Sequence, residues 1–267
     1  MSGFLSQAVA NLLAAEQQIA AIYGLPPEAQ KIQAESSVVI SPTISQIQTM
    51  QKTVSSFVQI AIPQLNTIET MVSGNQALPL IKEVIANLQN EASTLKSSVD
   101  GISAQINADS SQVLGYFGQL ATIESDLTTK MTTLQGQLGN AQSEEEATKK
   151  KYYYLLALGP LGLIGLAVAL GLYLKWQSDV NDYERQISSL SAQINSFNAM
   201  KSACLLMGTD FQGVVTKISG VRNSVDFLAS DILEINSDLD SGSALPIIGI
   251  MVKAAITEVT TLSVDAS

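Results

Sequence analysis

The sequence predicts an all-α protein: an elongated bundle of about five helices, with a long antiparallel two-helix neck and an apolar head. Three observations lead there. Two long stretches, Leu80–Lys151 and Lys175–Asp240, carry apolar residues at alternating four- and three-residue spacing. Between them Tyr152–Leu174, YYYLLALGPLGLIGLAVALGLYL, holds no charge at all. Aromatic residues make up only 5% of the chain and histidine is absent, while Gln, Ser, Ala, Leu and Ile dominate. That composition suits helical rods better than a sheet core.

Gly3–Tyr23 reads as a short amphipathic helix, with Phe4, Val9, Leu12, Leu13, Ile19 and Ile22 as its apolar positions. Gly24-Leu25-Pro26-Pro27 breaks it. A second helix is expected to begin near Ser41-Pro42-Thr43, with Pro42 in the first turn. It should kink at Pro63, where the ring removes a backbone donor, and turn at Ser73-Gly74-Asn75. From Pro79 the seam runs through Ile85, Leu88, Ala92, Leu95, Val99, Ile102 and Ile106, then Val113, Tyr116, Leu120, Ile123 and Leu127. After a phase shift it continues through Met131, Leu134, Leu138 and Ala141. Asp109 interrupts it, either as a register device or at a wider place in the bundle.

A second seam follows the apolar run: Val180, Tyr183, Ile187, Leu190, Ile194 and Phe197. It loosens over Lys201–Gly213 and resumes at Val215, Ile218, Val225, Leu228, Ile232, Ile235 and Leu239. Ser241-Gly242 and Pro246 close it, and Ile247–Leu262 forms a last short helix. At helical rise the two long stretches reach roughly 105 Å and 100 Å. Equal arms joined by a short connection should fold back as a hairpin, with the shorter helices packed around the end remote from the head. Residues 1–151 and 175–267 then form tail and neck, and 152–174 the head.

The head is expected to enter lipid through Leu155, Leu156, Leu158, Leu161, Leu163, Ile164, Leu166, Val168, Leu170, Leu172 and Leu174. Its length would allow one transmembrane helix, but Gly159-Pro160 breaks it. Folded back there, about twelve residues per arm rise roughly 18 Å, enough for one leaflet. Tyr152, Tyr153, Tyr154, Tyr173 and Trp176 are residue types that settle at the lipid–water boundary. Lys149, Lys150, Lys151 and Lys175 sit where they can reach headgroup phosphates, although with Glu144-Glu145-Glu146 they also read as a solvated helix face. The alternation of large and small residues over 166–174 leaves a β-tongue open beside the helical reading. A patch this apolar needs cover, either lipid or the heads of other copies in a soluble oligomer.

Fourteen Lys plus Arg against twenty-four Asp plus Glu, a net charge of −10, argue against nucleic acid as a partner. Cys204 stands alone and reads as a small buried core residue. Without histidine, the usual zinc sites and Ser-His or Cys-His catalysis have no residues to use, so neither an enzyme nor a cofactor is expected. The first eighteen residues have no basic n-region, so export would follow a route without a standard signal peptide.

The arms, the head between them and the short terminal helices resemble the cytolysin A/haemolysin BL group of bacterial α-pore-forming toxins. The resemblance covers nearly the whole chain and is architectural, with no diagnostic linear motif. It implies a secreted subunit of a multi-component toxin that acts on a target-cell membrane with other toxin subunits; the apolar head, which needs cover, adds the expectation of a homo-oligomer when soluble. The head is similar to that of the small membrane-anchoring component of Gram-negative tripartite toxins, which inserts into one leaflet and recruits partners to form the pore. Two other readings stay open: a single-pass membrane protein with Tyr152–Trp176 as its span and arms in two compartments, and a soluble coiled-coil scaffold. A cysteine pair at positions 134 and 194 would crosslink within one chain only in a hairpin.

Overall fold

A computed structural model of the protein describes residues 4–74, 78–157, 163–242 and 244–266; at residues 4, 155–157, 163–167 and 265 it describes the backbone alone. Among the described residues there are five helices and no strand: α1 (Phe4–Ala20), α2 (Pro27–Ser73), α3 (Leu78–Ala157), α4 (Leu163–Ser241) and α5 (Leu245–Asp265). The chain is all-α, as its periodicity predicts. The breaks fall where glycine and proline require them. Gly24 (φ 73°) and Gly242 (φ 78°) adopt left-handed backbone, and a proline opens α5 in its first turn.

One expectation fails. The second helix does not start near Ser41; α2 begins at Pro27 and runs to Ser73 with Pro42 and Pro63 inside it. Each proline frees the carbonyl four residues back, on Val38 and Gln59, and both residues are exposed. Water can therefore satisfy the orphaned acceptors. Meanwhile the opposite face keeps its buried stripe through Ile40, Ile47, Met50, Val54, Ala61 and Leu65.

The chain divides into two compact units. The first comprises Met1–Ala20, Gln33–Tyr116 and Ala203–Ser267. Its helices pack antiparallel. Ser6 meets Gln51 near one end of α1 while Glu16 accepts from Ser37 and Ser41 at the other, at 2.7 and 2.8 Å. Along α3 and α4, Lys82 meets Asp240, Gln89 meets Asn236, Lys96 meets Asp226, and Asp100 meets Arg222, one number rising as the other falls. On α5, Lys253 lies 3.5 Å from Glu69 of α2, and the stripe Ile248, Val252, Ala255, Val259, Leu262 is buried.

In this unit α4 has no loosened segment. Ala203, Cys204, Met207, Phe211 and Val214 are buried and lead into Ile218 without a break, so the seam passes through Val214 and not Val215. Cys204 is fully buried, and desolvation pushes its thiol up to about 11, so it is inert packing. Asp109 is buried too. Its carboxylate accepts from Thr43 Oγ1 at 2.7 Å and Gln105 Nε2 at 2.9 Å, with Ser103 and Ser110 buried nearby in sequence. A partner on α2 makes the polar seam position tolerable.

The second unit comprises Ala21–Ile32 and Phe117–Ser202. Here the α1–α2 connection buries Leu25, and the first turns of α2 bury Ala29 and Ile32. A Cβ on Gly24 would stand 3.4 Å from Ser196 Oγ of α4, and its positive φ independently favours glycine. Glu124 and Lys201 pair at 2.6 Å between α3 and α4. Farther along α3 and back along α4, Met131, Leu134, Leu138, Tyr183 and Ile187 are only half-buried. A seam shared by two helices alone covers each side chain from fewer directions than a bundle does.

Candidate functional site

The residues predicted to form the head lie in the second unit, carried by the end of α3 and the start of α4. The described parts, 152–157 and 163–174, are helical; the strand alternative for 166–174 does not hold. The seam explains why. On α3 it continues through Ala141, Glu145, Thr148 and Tyr152, and on α4 through Ala169, Tyr173, Trp176 and Val180, each at four-three-four spacing and each buried or half-buried. Helical pairing therefore extends from the neck into the apolar segment.

The arms meet at a tyrosine pair. The rings of Tyr152 and Tyr173 stack with centroids 6.4 Å apart and planes 14° apart. A straight helix through both would hold them about 32 Å apart. The two arms therefore lie side by side at this level, and the single-span geometry is not the one adopted. From Tyr173 to Leu163, the first described residue of α4, is a rise of about 15 Å, half of a hydrocarbon core of about 30 Å.

Side chains sort by face. Val168 (64% exposed), Leu170, Leu172 and Leu174 point outward, whereas Ala169 between them is 7% exposed. Tyr153 and Tyr154 are exposed, while Tyr152, Tyr173 and Trp176 are half-buried. Predicted as one collar of anchors, the five aromatic residues thus divide into outward and seam-facing sets. Leu155, Leu156, Leu163, Ile164 and Leu166 lie in helix, their side chains outside the description. Leu158 and Leu161, with the predicted break Gly159-Pro160, fall outside the described residues.

The cations are arranged around the same level. Lys149, Lys150, Lys151 and Lys175 are all exposed. Lys150 stands 3.8 Å from Glu146, an i,i+4 surface pair worth little. The Lys175 ammonium lies 5.0 Å from the centroid of the Trp176 ring. Among the described residues Lys149 and Lys151 have no acidic partner.

Sequence reading missed Thr148, because a threonine gives no hydrophobic signal; the spacing from Ala141 was the clue. It also missed that Leu245–Val264 is long and apolar enough to cross a membrane by length and composition, with mean hydropathy 1.6. The buried stripe of α5 gives that helix a place in the first unit's core. Among the described residues no group of three or more His, Cys, Asp or Glu side chains could hold a metal ion.

No protein-family model matches the chain, and no curated protein is detectably similar to it in sequence. Solved structures are. Soluble AhlC of AHL, the tripartite α-pore-forming toxin of Aeromonas hydrophila, is 27% identical, with a TM-score of 0.69 over 100% of this chain and 98% of that one. A soluble triple head mutant of AhlC gives 0.74 at the same identity and coverage. The SmhB pore of Smh, the tripartite α-pore-forming toxin of Serratia marcescens, gives 0.75 over the same shares at 14% identity, a likeness of fold alone. The resemblance to cytolysin A/haemolysin BL-type α-pore-forming toxins holds, and the structures this chain resembles are components of multi-component toxins.

Proposed function

We propose that the chain is the membrane-binding subunit of a multi-component bacterial α-pore-forming toxin. Its head, residues 152–174, enters one leaflet of a target-cell membrane, and tail and neck, residues 1–151 and 175–267, recruit the subunits that complete the pore. The observation that carries this reading is the Tyr152–Tyr173 stack beside the outward row Val168, Leu170, Leu172 and Leu174. Arms that close at the tyrosines leave an apolar tip too short to cross a bilayer. The protein is secreted, and before it meets lipid, tips of several copies cover one another in a homo-oligomer.

Liposome flotation and dye leakage, recorded separately, test it. Alone, the protein floats with liposomes but releases little dye; leakage rises when partner subunits are added. Replacing Leu163 and Ile164 by lysine abolishes flotation. Flotation that survives this double substitution refutes the head as the anchor.

A further inference from the structure

The collar at the base of the tip is more specialised than depth-setting requires. Four of the chain's seven tyrosines and its one tryptophan lie within 152–154 and 173–176, although aromatics are scarce elsewhere. The rings do not share one plane. Tyr153 meets Tyr152 edge-on, with centroids 5.7 Å apart and planes at 64°, while Tyr173 lies nearly parallel to Tyr152. Ring faces thus turn in two directions around one place. A cation already rests on an aromatic face at this level, Lys175 over Trp176.

The charges say which lipid would suit such a surface. Lys149, Lys150, Lys151, Lys175 and Arg185 are set against Glu144, Glu145, Glu146, Asp179, Asp182 and Glu184 in the flanking turns, five cations to six anions. An anionic surface gains no net attraction from that set, and the whole chain, at −10, is repelled by it. A zwitterionic headgroup is different. Its phosphate can meet Lys149 or Lys151, which have no acidic partner among the described residues. Its trimethylammonium carries a diffuse, weakly hydrated charge that aromatic faces attract within about 6 Å.

We infer that this collar is a phosphocholine site. The exposed rings of Tyr153 and Tyr154 take the quaternary ammonium on their faces, and a flanking lysine takes the phosphate. The inference rests on the membrane-binding reading and deepens it: the tip supplies insertion, the collar chooses the lipid.

The test is flotation of the full chain with two sets of vesicles of equal anionic content, one with phosphatidylcholine and the other with phosphatidylethanolamine as the zwitterionic lipid. Binding to the choline vesicles should be about tenfold stronger. The double variant Tyr153→Leu, Tyr154→Leu keeps apolar side chains at two exposed positions and should bind the choline and ethanolamine vesicles equally. Circular dichroism verifies its helix content. Equal binding of the native chain to both lipids overturns the phosphocholine site and leaves membrane binding intact. So does stronger binding as the anionic fraction rises, or a leucine variant that keeps the choline preference. Failure to float with any vesicle overturns both the site and the reading beneath it.

Discussion

Val168 and Ala169 are adjacent on α4, yet one is exposed and the other lies in the seam, so aspartate at each should have different consequences. Val168 is 64% exposed, so Val168→Asp breaks no internal contact of note. Its cost falls on the membrane-bound state. The exposed part of a valine side chain is worth about 1 kcal/mol when removed from water. Val168 lies five residues inside Tyr173, about 7.5 Å beyond the collar. A carboxylate at the bilayer centre costs about 2.5–3.5 kcal/mol, and somewhat less at this depth. Together these give about 3 kcal/mol, or roughly a hundredfold weaker partitioning. Ala169, at 7% exposure, is packed in the seam, and Ala169→Asp should disturb the pairing of the arms in water. The assay is a liposome-binding titration, with Trp176 fluorescence of the free protein as the folding control. Val168→Asp should keep the native emission and lose binding, and Ala169→Asp should change the emission. If Val168→Asp binds within about threefold of the native chain, the tip's outer face does not enter lipid.

Other outcomes follow from the packing. Leu134 and Leu190 line one groove between α3 and α4, so a cysteine at each should form an intrachain disulfide. A non-reducing gel that shows only interchain products would contradict the hairpin. Thr43→Val keeps the shape but removes a donor to Asp109, and should cost about 1–3 kcal/mol in urea unfolding; an unchanged midpoint and slope would show that the contact contributes nothing. Glu258 is held above the ordinary carboxyl value of 4.5 by burial and then by the neighbouring Asp231 charge. Its protonated form is thus favoured by folding, a contribution present below pH 4.5 and lost as pH rises through the raised value. Glu258→Gln should therefore raise the thermal midpoint at neutral pH and lose that advantage in acid, and the opposite trend would reverse the assignment.

Helix formation and its buried face were legible wherever large aliphatic residues recur at four-three spacing. From Ile85 to Leu127 nearly every predicted seam residue of α3 is buried, Ile102 being only half so. The breaks at Gly24 and Gly242 were legible for an equally local reason, since a left-handed backbone favours glycine. The apolar tip could be located as well, because an uncharged run of this length has few other uses.

What a residue faces was not legible. Pro42 read as a helix start, but whether a proline interrupts a helix depends on whether the freed carbonyl can reach water, and Val38 is exposed. Thr148 gave no signal as a seam residue, since a polar side chain is buried only because something stands opposite. Asp109 could be recognised as an anomaly, yet the hydroxyl that satisfies it comes from Thr43 on another helix. Local chemistry along the chain determined which segments are helical and where the apolar tip lies. The pairing of helices decided that the arms lie side by side at Tyr152 and Tyr173 and which of the tip's side chains look outward, because burial belongs to two surfaces and a sequence specifies them one at a time.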